Sequence, residues 1–244
     1  MSISHTRLDR FIGEYCQISR RNVRLMLAQK RLLVDGEVVD DIGLIINKFS
    51  HIQLDGKTLQ QHQAYYIMLY KPIGVVCATV DKQHKTVIDL LDHPSKYELH
   101  IVGRLDLNTS GLVLLTNDSR WSEKLMSPEH KVAKKYRVKL EQAISKSQEK
   151  NYVDAFQQGM YFKFEDITTL PASLTIIDEY NVEIQLFEGK YHQIKRMFGR
   201  FQNPVIGLHR ESIGALDLDA GLAIGASRML TEDEINHIFI DFVS

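Results

Sequence analysis

The tetrapeptide QQHQ at residues 60–63 separates two stretches of different hydrophobic period, and that change limits the folds open to the chain. Before it, RLDRFIGEY places Leu8, Phe11, Ile12 and Tyr15 at helical spacing. Ser19 then stands where it can cap a second helix, SRRNVRLMLAQKR, with Val23, Leu25, Met26 and Leu27 toward a core. Two Asp-Gly pairs, Asp35-Gly36 and Asp55-Gly56, sit between short β-rich runs and predict tight hairpins. Residues 5–62 therefore predict a helix–helix–hairpin module.

After residue 63 the texture is of strands and helices in turn. YYIMLYKP, GVVCATV, LHIVGRLD, SGLVLLTND, KKYRVKLE and NVEIQLFEG predict strands; TVIDLLDH, SRWSEKLMSP, YHQIKRMFGRF and TEDEINHIF predict helices. Thr231 followed by Glu234 is a capping box. The expectation is an α+β fold, the small module followed by a domain over 63–244 with a mainly antiparallel sheet and a central cleft.

The net charge of −1 hides a segregation. Residues 15–34, 130–140 and 189–210 hold fifteen Lys or Arg and no Asp or Glu, while the remaining 191 residues carry a net −16. Such a division fits a basic surface facing a polyanion. Arg20, Arg21, Arg24, Lys30 and Arg31 form the first cluster and lack acidic neighbours in sequence. Two distant cysteines, Cys16 and Cys77, support neither a disulfide framework nor a cysteine-rich zinc site. The apolar runs are short of a membrane span, and the N-terminus lacks the layout of a secretory signal, so a cytoplasmic location is expected. The histidines have no H-x-x-x-H pairing and no Gly-rich phosphate loop is present, so no metal and no nucleotide cofactor is expected.

GRLDLNTSGL at residues 103–112 sets Arg104 and a single carboxylate, Asp106, among turn formers between two apolar runs. A turn accounts for the Gly, Asn, Thr and Ser, but not for Arg-Leu-Asp. This run, with YYIMLYKPIGVVCAT, KKYRV, EGKYHQIKRMF and LHRESIG in that order, resembles the pseudouridine synthases, in the branch that acts on ribosomal RNA. The run RLDRFI…SRRNVRLML…VDGEVV resembles the S4-like RNA-binding domain that precedes the catalytic domain in that branch.

The resemblance implies isomerisation of one uridine of 16S rRNA, the equivalent of position 516, with 16S rRNA or a small-subunit assembly intermediate as partner. No cofactor, no membrane contact and a monomer are implied. Alternatives are a large-subunit 23S rRNA target, or an S4-like assembly factor without catalysis. Asp106 is the implied catalytic residue, as nucleophile at C1′ or as base on a sugar proton. Tyr136 is the implied base-stacking residue and Leu208 an apolar wall for the base. The reaction needs a cation to keep one desolvated carboxylate ionised. The family commonly has Arg where this chain has Lys195, with Arg196 next, so the pairing rests with one of the two, Lys195 being favoured. Arg196 is then expected on a phosphate or beside Asp106, and Arg104 on a phosphate or in fixing the loop. Lys134, Lys135 and Arg137, around Tyr136, are expected to line an RNA channel. A glycoside hydrolase would need two carboxylates where the motif offers one.

Overall fold

The computed structural model describes residues 5–239. The chain divides into two compact units, one ending at Ala64 and the other beginning at Tyr65. Residues 240–244, counted in the second predicted domain, lie outside the described residues.

In the first unit the helices Leu8–Cys16 and Arg20–Ala28 pack with a four-stranded sheet. Ser19 caps the second helix, its hydroxyl accepting from the Asn22 amide at 3.3 Å. Both Asp-Gly pairs form hairpin turns with positive φ at each residue: 53° and 87° at Asp35 and Gly36, 51° and 76° at Asp55 and Gly56. That double left-handed geometry matches the right-handed twist of the flanking strands. Leu8, Ile12, Val23, Leu27, Leu32, Ile46 and Ile52 fill the core. Leu25 and Tyr15 are corrections to the predicted core faces, since each is 54% exposed. On the second helix Val23 and Leu27 lie one turn apart on the inner side, and Leu25, about 200° from each, faces outward.

The basic face of this unit is also smaller than its sequence implies. Arg20 pairs with Asp9 at 2.7 Å, and Arg31 reaches Asp55 through Nε at 2.8 Å. Asp9 is buried and receives Arg7 as well, at 3.0 Å through two nitrogens, which holds its carboxyl below the usual range. Arg21, Arg24 and Lys30 remain exposed.

The second unit is built on a nine-stranded sheet. Its main path runs Ser173–Ile176, Asn181–Leu186, Lys134–Leu140, Val205–Ile213, Ser110–Thr116, Tyr66–Lys71 and Ser227–Met229. Leu216–Asp217 and His100–Val102 pair off this path. Every pairing in this sheet is antiparallel except that of Ser110–Thr116 with Val205–Ile213. Alternation divides the strands between two cores. Val113, Leu115 and Val138 face Phe156 and Phe198 on one side, and Leu112, Leu114 and Ile213 face Trp121 on the other.

Two predicted elements are absent. Residues 74–80 form no strand, only a single bridge between Val76 and Thr86. Residues 86–93 form turns and no helix. There Thr86 and Asp89 cap each other reciprocally, the Thr86 amide donating to the Asp89 carboxylate at 2.8 Å and the Asp89 amide to the Thr86 hydroxyl at 3.2 Å, but only three-residue turns follow. The helix Lys146–Gln158, closed at its start by a Ser145–Gln148 capping box, adds to the predicted set. The C-terminal capping box of Thr231 and Glu234 forms as expected.

Candidate active site

The GRLD motif folds as the connection between His100–Val102 and Ser110–Thr116. Gly103 turns the chain with φ of 73°, and the Thr109 amide donates to the Asp106 carbonyl at 3.1 Å to close the loop. Where the loop re-enters the sheet, Gly111 has φ of 113° and lies against the backbone of Arg210. A Cβ there would overlap the Arg210 carbonyl, so only glycine admits the one parallel pairing of the sheet at this point.

Two buried cations hold the loop in place. The Lys71 side chain is fully buried, and its ammonium donates to the carbonyls of Thr109 at 2.6 Å, Pro72 at 2.9 Å and Leu107 at 3.5 Å. Burial pushes the Lys71 ammonium below its usual pKa, and the nearby Cys77 and Asp106 oppose that shift. Arg210, 2% exposed, donates to the Gly103 carbonyl at 2.8 Å, the Leu112 carbonyl at 2.7 Å and the Tyr136 hydroxyl at 3.5 Å. Both ends of the loop are therefore anchored by charged donors, which bond more strongly than neutral ones. Neither residue is singled out by the sequence motifs. Burial of a Lys or Arg within an apolar strand has no local signature.

Asp106 faces a cavity of about 90 Å³ that is also lined by Arg104, Tyr136, Leu186, His192, Ile194, Lys195 and Leu208. Asp106 is the one carboxylate in that lining. Lys195 Nζ lies 3.2 Å from Asp106 Oδ2, and His192 Nε2 lies 3.5 Å from Oδ1. The helix Gln193–Gly199 presents Lys195, and its start is set by His192, which takes a left-handed φ of 47°. Around that start Gln193 accepts from the Lys190 amide at 3.0 Å and donates to Glu188 at 2.7 Å, while Lys190 pairs with Glu188 at 2.5 Å. His192 stacks on Tyr191 with ring centroids 3.9 Å apart. The sequence offered no sign of His192 as a neighbour of Asp106.

Of the residues expected near the carboxylate, Arg104, Tyr136, Lys195 and Leu208 are brought together with it. Arg196 is not. One helical step, about 100° from Lys195, turns it away, and it pairs with Glu165 at 2.7 Å over the ring of Phe162 at 4.0 Å.

The expected channel around Tyr136 is corrected too, because neighbours on a strand point to opposite faces. Lys135 lies 3.9 Å from Glu183 and Arg137 lies 2.9 Å from Glu211, both on the face away from Asp106. Lys134 shares the Tyr136 side but is buried, donating to the Val132 carbonyl at 2.9 Å.

Burial, with a smaller contribution from Arg210, lowers the Lys134 pKa to about 8. The unfolded chain, with an ordinary lysine near 10.5, binds more protons between those values, so this group contributes stability that grows as pH rises from about 8 to 10.5. Lys134→Met is expected to raise unfolding stability at pH 7 by about 1–3 kcal/mol, with the gain shrinking toward pH 10.5. Denaturant melts of both proteins across that range check it.

One carboxylate held by an ammonium and walled by an aromatic ring and three leucines, Leu105, Leu186 and Leu208, suits attack on, or proton removal from, a sugar bearing a flat ring. Comparison with known proteins points the same way. The model of the RNA pseudouridylate synthase family matches residues 65–199, more than half of the chain. The chain belongs to the RNA pseudouridylate synthase family. It is an RNA pseudouridine synthase, an isomerase. Ribosomal small subunit pseudouridine synthase A of Pseudomonas aeruginosa is 47% identical over 94% of this chain and 98% of its own. The protein of that name from Escherichia coli is 42% identical over the same shares. A crystal structure of a pseudouridylate synthase superposes with a TM-score of 0.68 at 38% identity, covering 95% of this chain and 99% of its own.

Proposed function

We propose that this synthase converts one uridine of 16S ribosomal RNA to pseudouridine, with Asp106 as the catalytic group. The observation that carries the chemistry is the Asp106–Lys195 pair at 3.2 Å inside a cavity walled by Tyr136 and Leu208. The choice of RNA is supported by near full-length relatives named for the small ribosomal subunit. The N1–C1′ bond breaks, the base turns, C5 bonds to C1′, and the C5 proton is given up while N1 gains one. No atom is added and no electron is lost, so one ionised carboxylate suffices. Lys195 sets an ammonium 3.2 Å from the Asp106 carboxylate, and Tyr136 and Leu208 pack the uracil, offsetting part of the cost of unstacking it. Arg104 makes no ion pair within the described residues and is suited to a phosphate. The reaction belongs in the cytoplasm, where ribosomes are assembled.

The test is pseudouridine mapping in cells lacking the protein. One pseudouridine of 16S rRNA should disappear, return with the wild-type gene, and stay absent with Asp106→Asn. An intact 16S rRNA with a missing 23S pseudouridine would reassign the substrate.

The N-terminal unit is proposed to bind the RNA as an S4-like domain, through Arg21, Arg24 and Lys30. Arg20 and Arg31 are engaged by Asp9 and Asp55. Arg21→Ala or Arg24→Ala should each weaken binding and reduce the slope of log K against log salt by about 1. Arg31→Ala should leave that slope nearly unchanged. Filter binding at several salt concentrations separates these outcomes.

A further inference from the structure

Beside the catalytic cavity lies a second groove of about 420 Å³, lined by Ile73, Asn108, Lys195, Val205, Ile206, Gly207 and Leu208. Lys195 and Leu208 belong to both, so the two spaces are neighbours that share a wall. The catalytic cavity, at about 90 Å³, has room for one small ring, and the groove has room for a further base and its ribose. Ile73 and Ile206 are exposed by 62% and 58% and line the same groove, two large aliphatic side chains brought together from distant parts of the chain.

The groove is built and not a chance of loose side chains. Ile73 sits on a turn fastened to the catalytic loop by the Gly74 amide donating to the Leu107 carbonyl at 2.9 Å, with Lys71 beneath both. Ile206 is fixed by its strand. Asn108 stands two residues from Asp106, exposed, and its side-chain amide has no partner among the described residues. No carboxylate lines the groove.

We infer that this groove receives the nucleobase next to the target uridine on the same RNA strand, packed between Ile73 and Ile206 and met at its edge by the Asn108 amide. This rests on the reading of the protein as a synthase acting on rRNA. Flipping one base out of a stack bares a face of its neighbour, and an apolar surface beside the flipped base offsets that exposure. An amide offers both a donor and an acceptor, so it can meet a base edge of either pattern. Lys195 at the shared wall lies where the phosphate linking the two nucleotides would pass. The residues that read sequence context are therefore Ile73, Asn108 and Ile206, none of which lines the Asp106 cavity.

The experiment uses the full chain and small-subunit rRNA reconstituted with its ribosomal proteins. The RNA carries an abasic ribose immediately 5′ or immediately 3′ of the target. Wild-type kcat/KM should fall by about tenfold or more for one of the two abasic RNAs. Ile73→Ser/Ile206→Ser and Asn108→Ala should lose a similar factor on the complete RNA. They should show little further loss on that abasic RNA. Both isoleucines are exposed, so thermal unfolding of the variants should match wild type. Equal wild-type activity on all three RNAs overturns the inference, as does a full additional loss when variant and abasic RNA are combined. Absence of wild-type turnover on the complete RNA overturns the substrate reading itself, and the groove's occupant with it.

Discussion

Asp106→Asn should lower pseudouridine formation by about four orders of magnitude or more, while unfolding temperature and RNA affinity stay near wild type. The side chains are isosteric, and the loop that carries Asp106 is held through backbone carbonyls by Lys71 and Arg210, which the substitution leaves untouched. What is lost is the charge and basicity of the one carboxylate lining the cavity. An amide can neither attack C1′ nor remove a sugar proton at a useful rate. Carbodiimide modification followed by primer extension on reconstituted small-subunit RNA measures the product. Turnover within tenfold of wild type would show that the chemistry lies elsewhere.

The second large effect is expected at Lys195. Lys195→Met keeps much of the aliphatic stem and removes the ammonium 3.2 Å from Asp106, and kcat should fall by about 10²–10³-fold. Lys195→Arg should recover most of that, within about tenfold of wild type, because the requirement is for a fixed positive charge. The effect is smaller than that at Asp106 because the carboxylate that does the chemistry is still present. Single-turnover kinetics with saturating enzyme report this step apart from binding. Equal loss in the Met and Arg variants would mean that shape, not charge, is what position 195 supplies.

Lys195 and Arg196 show where the sequence was readable and where it was not. The resemblance of the runs around Asp106, Tyr136 and Lys195 to the pseudouridine synthases implied these three positions, and all three line one cavity. The choice between residues 195 and 196 depends on helix phase, which is set by the left-handed turn at His192, and no periodicity announces that turn. Arg20 and Arg31 looked unpaired because their acidic partners are 11 and 24 positions away, brought in by tertiary folding. Lys134, Lys135 and Arg137 looked like one basic stripe, although strand alternation alone separates them onto two faces. Both Asp-Gly hairpins and both predicted helix caps were legible because their signals are confined to adjacent residues. At residues 86–93 the helical spacing and a Thr86–Asp89 cap are both present, yet the chain makes only three-residue turns there. Lys71 and Arg210 escaped notice because they serve carbonyls, which carry no mark in an amino-acid sequence.

The single parallel pairing has a consequence for the order of events in the cell. It joins Ser110 and Gly111 to His209 and Arg210, with the Ser110 hydroxyl 2.9 Å from His209 across 99 positions of chain. Contacts of such sequence separation form late, since the closure entropy of the intervening loop comes before any return. The ribosome synthesising this enzyme therefore holds a chain with Asp106 already made but with no Leu208, Lys195 or Arg210 yet available to complete its surroundings. A chain cut short before residue 195 would therefore carry Asp106 without the ammonium, the Leu208 wall and the buried guanidinium that surround its loop.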